Sequence, residues 1–147
     1  MSENEQPQRI TESGGLRVLH VDPAGPPIVS SEDTSDLIGN AWVDNADVIA
    51  LPVSRLDAEF FRLASGQAGA ILQKVANYQL KLAVIGDIGA QLAASGALRD
   101  FVWESNRGEH IWFFDETSEL GQKLEQRKAV LDAALAAQAA RTAGAAG

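Results

Sequence analysis

Residues 60–87 read FFRLASGQAGAILQKVANYQLKLAVIGD. In direct succession the stretch holds a Ser-Gly helix start, an amphipathic helix, an apolar strand and a polar turn. From Ser65 or Gly66 onward, Ala68, Ile71, Leu72 and Val75 recur at the 3.6-residue spacing of one helix face. Lys81–Ile85 then forms a short apolar run closed by Gly86-Asp87, which reads as a buried strand. Upstream, DVIALPV at 47–53 is a second run of strand length. Pro52 should end its pairing, because proline has no amide to offer a ladder.

Outward from this unit the same punctuation continues. Leu16–Val21 alternates as a strand, 23–27 is a proline-bounded turn, and Ile28-Val29 is expected to give a second short strand. Asp33 or Ser35 should cap a helix over about 36–45 with Leu37, Ile38, Ala41 and Trp42 on its buried face. Asp57 should cap a short turn holding Phe60 and Phe61. Ser95 opens a helix carrying Leu98, Phe101 and Val102, and Gly108 ends it. His110–Phe114 is an aromatic strand, and Thr117 is expected to cap a last helix to about Arg141, followed by a frayed AGAAG tail. Strands and helices alternate over 47–141, which predicts an α/β fold with a mostly parallel sheet and right-handed crossovers. Residues 1–15 are polar and end in Gly-Gly, so they are expected to be a disordered tail. The domain is placed at 16–125, and 126–147 is an extension of the last helix with its alanine-rich end.

Composition narrows the function classes. The 147 residues are 46% hydrophobic and 22% charged, enough apolar content for one cored domain. There is no cysteine, which removes disulfides and thiolate metal sites. The net charge is −8, and no segment is basic: even residues 116–147, at the C-terminal end, hold 4 basic and 4 acidic side chains. Nucleic acid and anionic membranes are therefore not the expected partners. The N-terminal residues lack a signal-peptide pattern, and no apolar stretch is long enough for a membrane span. A cytoplasmic, soluble protein without metal or cofactor is the expectation.

Three polar groups stand out as candidate sites. Ser65-Gly66, at a helix start, has a hydroxyl able to accept a free backbone amide, the ordinary role of an N-cap. The same geometry would also receive a phosphate at the positive end of the helix dipole. Arg62, Gln67 and Ala70 lie beside it, and the small residues 66–70 would admit a close partner or pack the helix tightly on the sheet. Asp87, at the carboxyl end of a strand, stands where open α/β sheets place ligands, but an Asp there also caps turns. Asn106 and Arg107 could bind an anion or amide; they equally suit a helix C-terminus. His20 and His110 are far apart in sequence, and Ser65, His110 and Asp87 carry no spacing of a catalytic triad. No catalytic residue is assigned. Leu120, Leu124, Leu131 and Leu135 form one stripe on the last helix, read as core cover early and as either homodimer contact or solvated helix later.

Three phrases, LDAEFFRLASGQAGAILQKVANYQLKLAVIGDI at 56–88, LRDFVWESNRG at 98–108 and IWFF at 111–114, resemble a bacterial domain family of uncharacterised function. That family in turn resembles the STAS modules typified by anti-sigma-factor antagonists. The resemblance implies a mixed, mostly parallel sheet of four to five strands flanked by helices. It also implies a Ser-Gly at a helix start whose phosphorylation switches partner binding. Ser65-Gly66 falls at that place, although Leu63-Ala64 stand where the antagonists carry an acidic and a hydroxyl residue. The functional expectation is a non-enzymatic module binding a protein partner in bacterial regulation. The alternatives are a small-molecule or accessory-enzyme pocket at Asp87, Asn106 and Arg107, and a homodimeric structural subunit.

Overall fold

A computed structural model describes residues 9–146. Its elements are β1 (Arg9–Ser13), β2 (Leu16–His20), α1 (Ser31–Val43), β3 (Val48–Pro52), α2 (Ala58–Phe61), α3 (Gln67–Asn77), β4 (Lys81–Ile85), α4 (Gly89–Ala94), α5 (Gly96–Asn106), β5 (Ile111–Phe114) and α6 (Thr117–Ala146). The five strands form one sheet in the order β1-β2-β3-β4-β5. β1 and β2 are an antiparallel hairpin, and every later neighbour pairs in parallel. The chain is thus an α/β protein with a mixed, mostly parallel five-stranded sheet, as the alternation of elements predicts.

The apolar strands divide their side chains between two layers because successive residues point to opposite faces. Leu19, Ile49, Leu51, Leu82, Val84, Ile111 and Phe113 meet Leu37, Ile38 and Ala41 of α1, Ala68, Ile71 and Val75 of α3, and Leu98 of α5. The opposite face carries Val18, Val48, Ala50, Ala83 and Trp112, and Leu120 and Leu124 of α6 close it. Alanines at 50 and 83 let one helix approach the middle strands, and the fully buried Trp112 fills the space beside them. Its indole N–H donates to the Gly108 carbonyl at 2.9 Å, so burial leaves no donor unpaired.

Several local expectations are corrected. Arg9–Ser13 is not a disordered tail: its backbone pairs with β2 from Arg9↔His20 to Ser13↔Leu16. Residues 1–8 of the expected tail lie outside the described residues. Gly14 and Gly15 turn the hairpin with φ of 57° and 78°, a left-handed pair that matches the twist of a two-residue hairpin. Ile28-Val29 forms no strand; Ile28 is buried in the loop, and its amide donates to the Arg55 carbonyl. α1 begins earlier than predicted because Ser30 and Asp33 form a reciprocal capping box. Trp42 faces solvent instead of the core, at 62% exposure, with its ring edge-on to Tyr78. α6 starts with Glu119 accepting the amides of Asp115 and Glu116, and it continues past Arg141 to Ala146.

Candidate functional site

Parallel strands deliver their connections to one end of the sheet. After β3 the chain passes through a 3-10 turn at Val53–Arg55, then α2 and a second 3-10 turn at Leu63–Ser65. After β4 it passes through Gly86-Asp87 into α4 and α5. Between these two connections lies a cleft of about 480 Å³, lined by Phe61, Arg62, Leu63, Ala64, Gln91, Ala94, Ser95 and Ala97 among others. Its walls are largely apolar, and the alanines expose little more than backbone. α4 carries no capping side chain at Ile88 and gave no sequence signal, so the far wall of the cleft was not foreseeable from the residues alone.

Ser65 stands on the α2–α3 connection next to this cleft. Its hydroxyl donates to the Glu59 carbonyl at 2.6 Å and accepts the Gln67 amide at 3.2 Å. The predicted acceptor role is met one position early, since Gly66 occupies the cap with φ 81° and has no side chain to offer. Ser65, Gly66, Gly69 and Ala70 are all exposed, and a side chain added at Gly66 or Gly69 would meet nothing. The small residues therefore do not serve tight packing on the sheet; Ala68 alone of this group is buried. Arg62 Nη1 contacts both carboxylate oxygens of Glu59 at 2.8 Å. Gln67 begins α3 with its side-chain oxygen buried and without a hydrogen-bond partner.

The second predicted group is not brought together. Asp87 lies at the carboxyl end of β4, exposed, with Oδ1 accepting the Gly89 amide at 2.8 Å. Asn106 and Arg107 lie at the opposite end of the sheet, just ahead of β5. A five-residue strand separates the two levels, or roughly 16 Å. Asn106 spends its side-chain oxygen on the Phe113 amide at 2.7 Å. The Arg107 guanidinium stacks on the exposed Trp103 ring, 4.4 Å from its centre. His110 also lies at this end, away from Ser65 and Asp87, so those three residues make no triad. His20 pairs with the Thr11 hydroxyl across the hairpin at 2.7 Å, and burial, then Arg9, lowers its pKa. Among the described residues no three His, Asp or Glu side chains gather as a metal site, and no helix is long and apolar enough to cross a membrane.

Residues 13–124 match the family described as domain of unknown function DUF4180. The chain belongs to that family. The match takes in the sheet from the hairpin turn onward, the cleft and the part of α6 that covers the sheet, and it stops at Leu124, the last buried residue of that helix. The DUF4180 description names no activity and no link to STAS modules. No curated protein and no solved structure matches the chain.

Proposed function

We propose that this DUF4180 chain is a non-enzymatic, STAS-like module that binds a protein partner in bacterial regulation, at the cleft beside Ser65. The apolar cleft between the β3 and β4 connections carries this reading. Its alanine-rich wall lets a partner's aliphatic side chains approach closely, and the exposed Ser65-Gly66-Gly69-Ala70 edge continues the surface. Arg62 supplies a charged rim to fix orientation, in line with interfaces built from an apolar centre and polar edge.

A phosphate on Ser65 would end its donation to the Glu59 carbonyl and add roughly two negative charges at the start of α3. That charge would compete with Glu59 for Arg62, so partner binding could be switched at this point. The pocket expected from Asp87, Asn106 and Arg107 is not part of the proposal, because the sheet holds those residues at opposite ends.

The test is affinity capture from lysate with wild type, Ala97→Arg and Ser65→Glu, identifying bound proteins by mass spectrometry. Ala97 is exposed, so arginine fills the cleft without entering the core. A partner held by wild type and lost by Ala97→Arg supports the cleft, and its loss with Ser65→Glu supports the switch. Identical capture by wild type and Ala97→Arg, or no specific capture, defeats the assignment.

A further inference from the structure

The α1–β3 and α3–β4 connections enter neighbouring strands at the end of the sheet opposite the Ser65 cleft. Both are built alike. The Asn45 amide donates to the Trp42 carbonyl and the Ala46 amide to that of Ala41; the Gln79 amide donates to the Ala76 carbonyl and the Leu80 amide to that of Val75. This is one helix-ending motif made twice, and its last turn needs a residue of positive φ, most often glycine. Here the residues are Asn45 at 57° and Gln79 at 59°, the two non-glycine residues with positive φ among those described. Glycine avoids the steric cost that a side chain incurs there, above all one as long as glutamine.

Both amide side chains line one pocket. It has a volume of about 350 Å³ and is walled by Trp42, Tyr78 and Asp47, with the buried Ala46 and Leu80 beneath. Trp42 and Tyr78 are 62% and 48% exposed, their rings 6.3 Å apart and at 89° to one another. The Trp42, Asn45, Tyr78 and Gln79 side chains are all exposed and hydrogen-bond no other described residue. Asp47 gives Oδ2 to the Arg17 amide at 2.9 Å and keeps Oδ1 free of the described residues.

The lining narrows the ligand. A phosphate or carboxylate finds no cation in the pocket and meets the Asp47 carboxylate. A cation meets Arg17, whose guanidinium bonds the Asp44 and Asn45 carbonyls, and Lys81, whose charge Asp47 already favours. A proline-rich segment brings carbonyl acceptors alone, which leaves Asp47 and the amide oxygens unmatched. A flat base gains most between parallel rings, and these two are perpendicular. A neutral ring with an apolar face and a rim of hydroxyls meets none of these objections. Each hydroxyl donates and accepts, and so does each amide.

We propose that this pocket binds a carbohydrate, one sugar ring lying on Trp42 with its hydroxyls bonded by Asn45, Gln79 and Asp47. The C–H face of the sugar packs on the indole, whose ring face is electronegative. Tyr78 forms the side wall. The amide side chains thereby gain a use that the fold does not give them, since glycine serves the two turns better. An open pocket at the low end of ligand-site volumes makes the affinity weak, roughly millimolar. It shares no residue with the Ser65 cleft, so the two proposals stand or fall separately.

Proton–nitrogen NMR spectra of the full chain, titrated separately with glucose, galactose, mannose and N-acetylglucosamine, test it. The Trp42 indole signal, identified by its loss in Trp42→Phe, should shift saturably with at least one of these sugars. Trp42→Ala should weaken that binding by about tenfold or more. Gln79→Gly should weaken it several-fold through the lost amide, yet melt no lower than wild type, because glycine suits the positive φ. Thermal melts by circular dichroism establish that each variant is folded, so lost affinity is not lost structure. The absence of a saturable shift with any of the sugars overturns the proposal. So does an affinity unchanged in both Trp42→Ala and Gln79→Gly, or a response of the Trp42 signal to adenosine or a proline decamer and to none of the sugars.

Discussion

Asn106 closes the outer edge of β5: its side-chain oxygen accepts the Phe113 amide at 2.7 Å, on a strand whose one neighbour among the described residues is β4. Parallel pairing leaves alternate residues of an edge strand facing outward, and such amides invite another chain. Phe113 itself is buried, so its amide has little access to water. Replacing Asn106 by Ala leaves that donor unsatisfied and should cost about 1–2 kcal/mol. Asn106→Asp retains the acceptor and should cost less. Urea unfolding of the three proteins measures the difference; equal midpoints would show that the bond contributes nothing.

Gly14 is where the hairpin docks on α6. Its amide donates to Glu125 Oε2 at 2.7 Å, its φ is positive, and a Cβ there would overlap the Leu124 carbonyl. Gly15 shares the positive φ but would meet only the end of the Lys128 side chain, at 3.9 Å. Gly15→Ala should therefore cost about 1–2 kcal/mol, the left-handed strain alone. Gly14→Ala carries that strain and displaces backbone, so it should cost more than the ~1–3 kcal/mol typical of a strained position. Comparable losses for the two variants would show that the close approach to Leu124 relaxes freely.

The parts of this fold that were legible are those whose signal is local. β3 and β4 read directly as apolar runs, and α3 declared itself by Ala68, Ile71 and Val75. β1 is hidden in the sequence because RITES is mostly polar and takes its place by pairing with β2, with Ile10 packed on the core and the Gly14 turn against α6. Asn106 looked like a ligand residue because its partner, Phe113, approaches only when β5 folds alongside the end of α5. The cleft was half legible: Arg62, Leu63 and Ala64 fall in the singled-out stretch, whereas Gln91, Ala94 and Ala97 belong to a wall that tertiary packing brings across. Ser30 and Asp33 are the exception: their spacing is that of a capping box, and the cap sits at Ser30 and not at the expected Asp33 or Ser35.

Ser65 supplies a structural bond as well as a proposed switch, and the two are separable. Ser65→Ala removes both the donation to the Glu59 carbonyl and the acceptance from the Gln67 amide. The site is exposed, so water replaces both partners and the loss should be about 1 kcal/mol or less. Partner capture by Ser65→Ala should resemble wild type, in contrast to Ser65→Glu. If alanine abolishes capture as fully as glutamate, the hydroxyl itself is the contact and no charge switch is needed.

Acid should loosen the joint between β5 and α6 through Glu109. The hydrogen bond from Arg127 Nε, with the Arg127 and Lys81 charges, outweighs desolvation and holds its carboxyl below the ordinary value of 4.5. Lys81 also donates to the Glu109 carbonyl at 2.7 Å, so one residue ties β4 and α6 together. A carboxyl with a lowered folded-state pKa adds stability above its unfolded value, and this is lost as pH falls through the folded one. The Glu109 side chain is 53% exposed, so screening limits the contribution to under about 1 kcal/mol. Wild type should lose that increment relative to Glu109→Gln as pH drops below about 4.5, and the two should converge in strong acid. Urea midpoints measured against pH decide it. A constant gap between the two proteins across this range would mean that the carboxylate charge contributes nothing there.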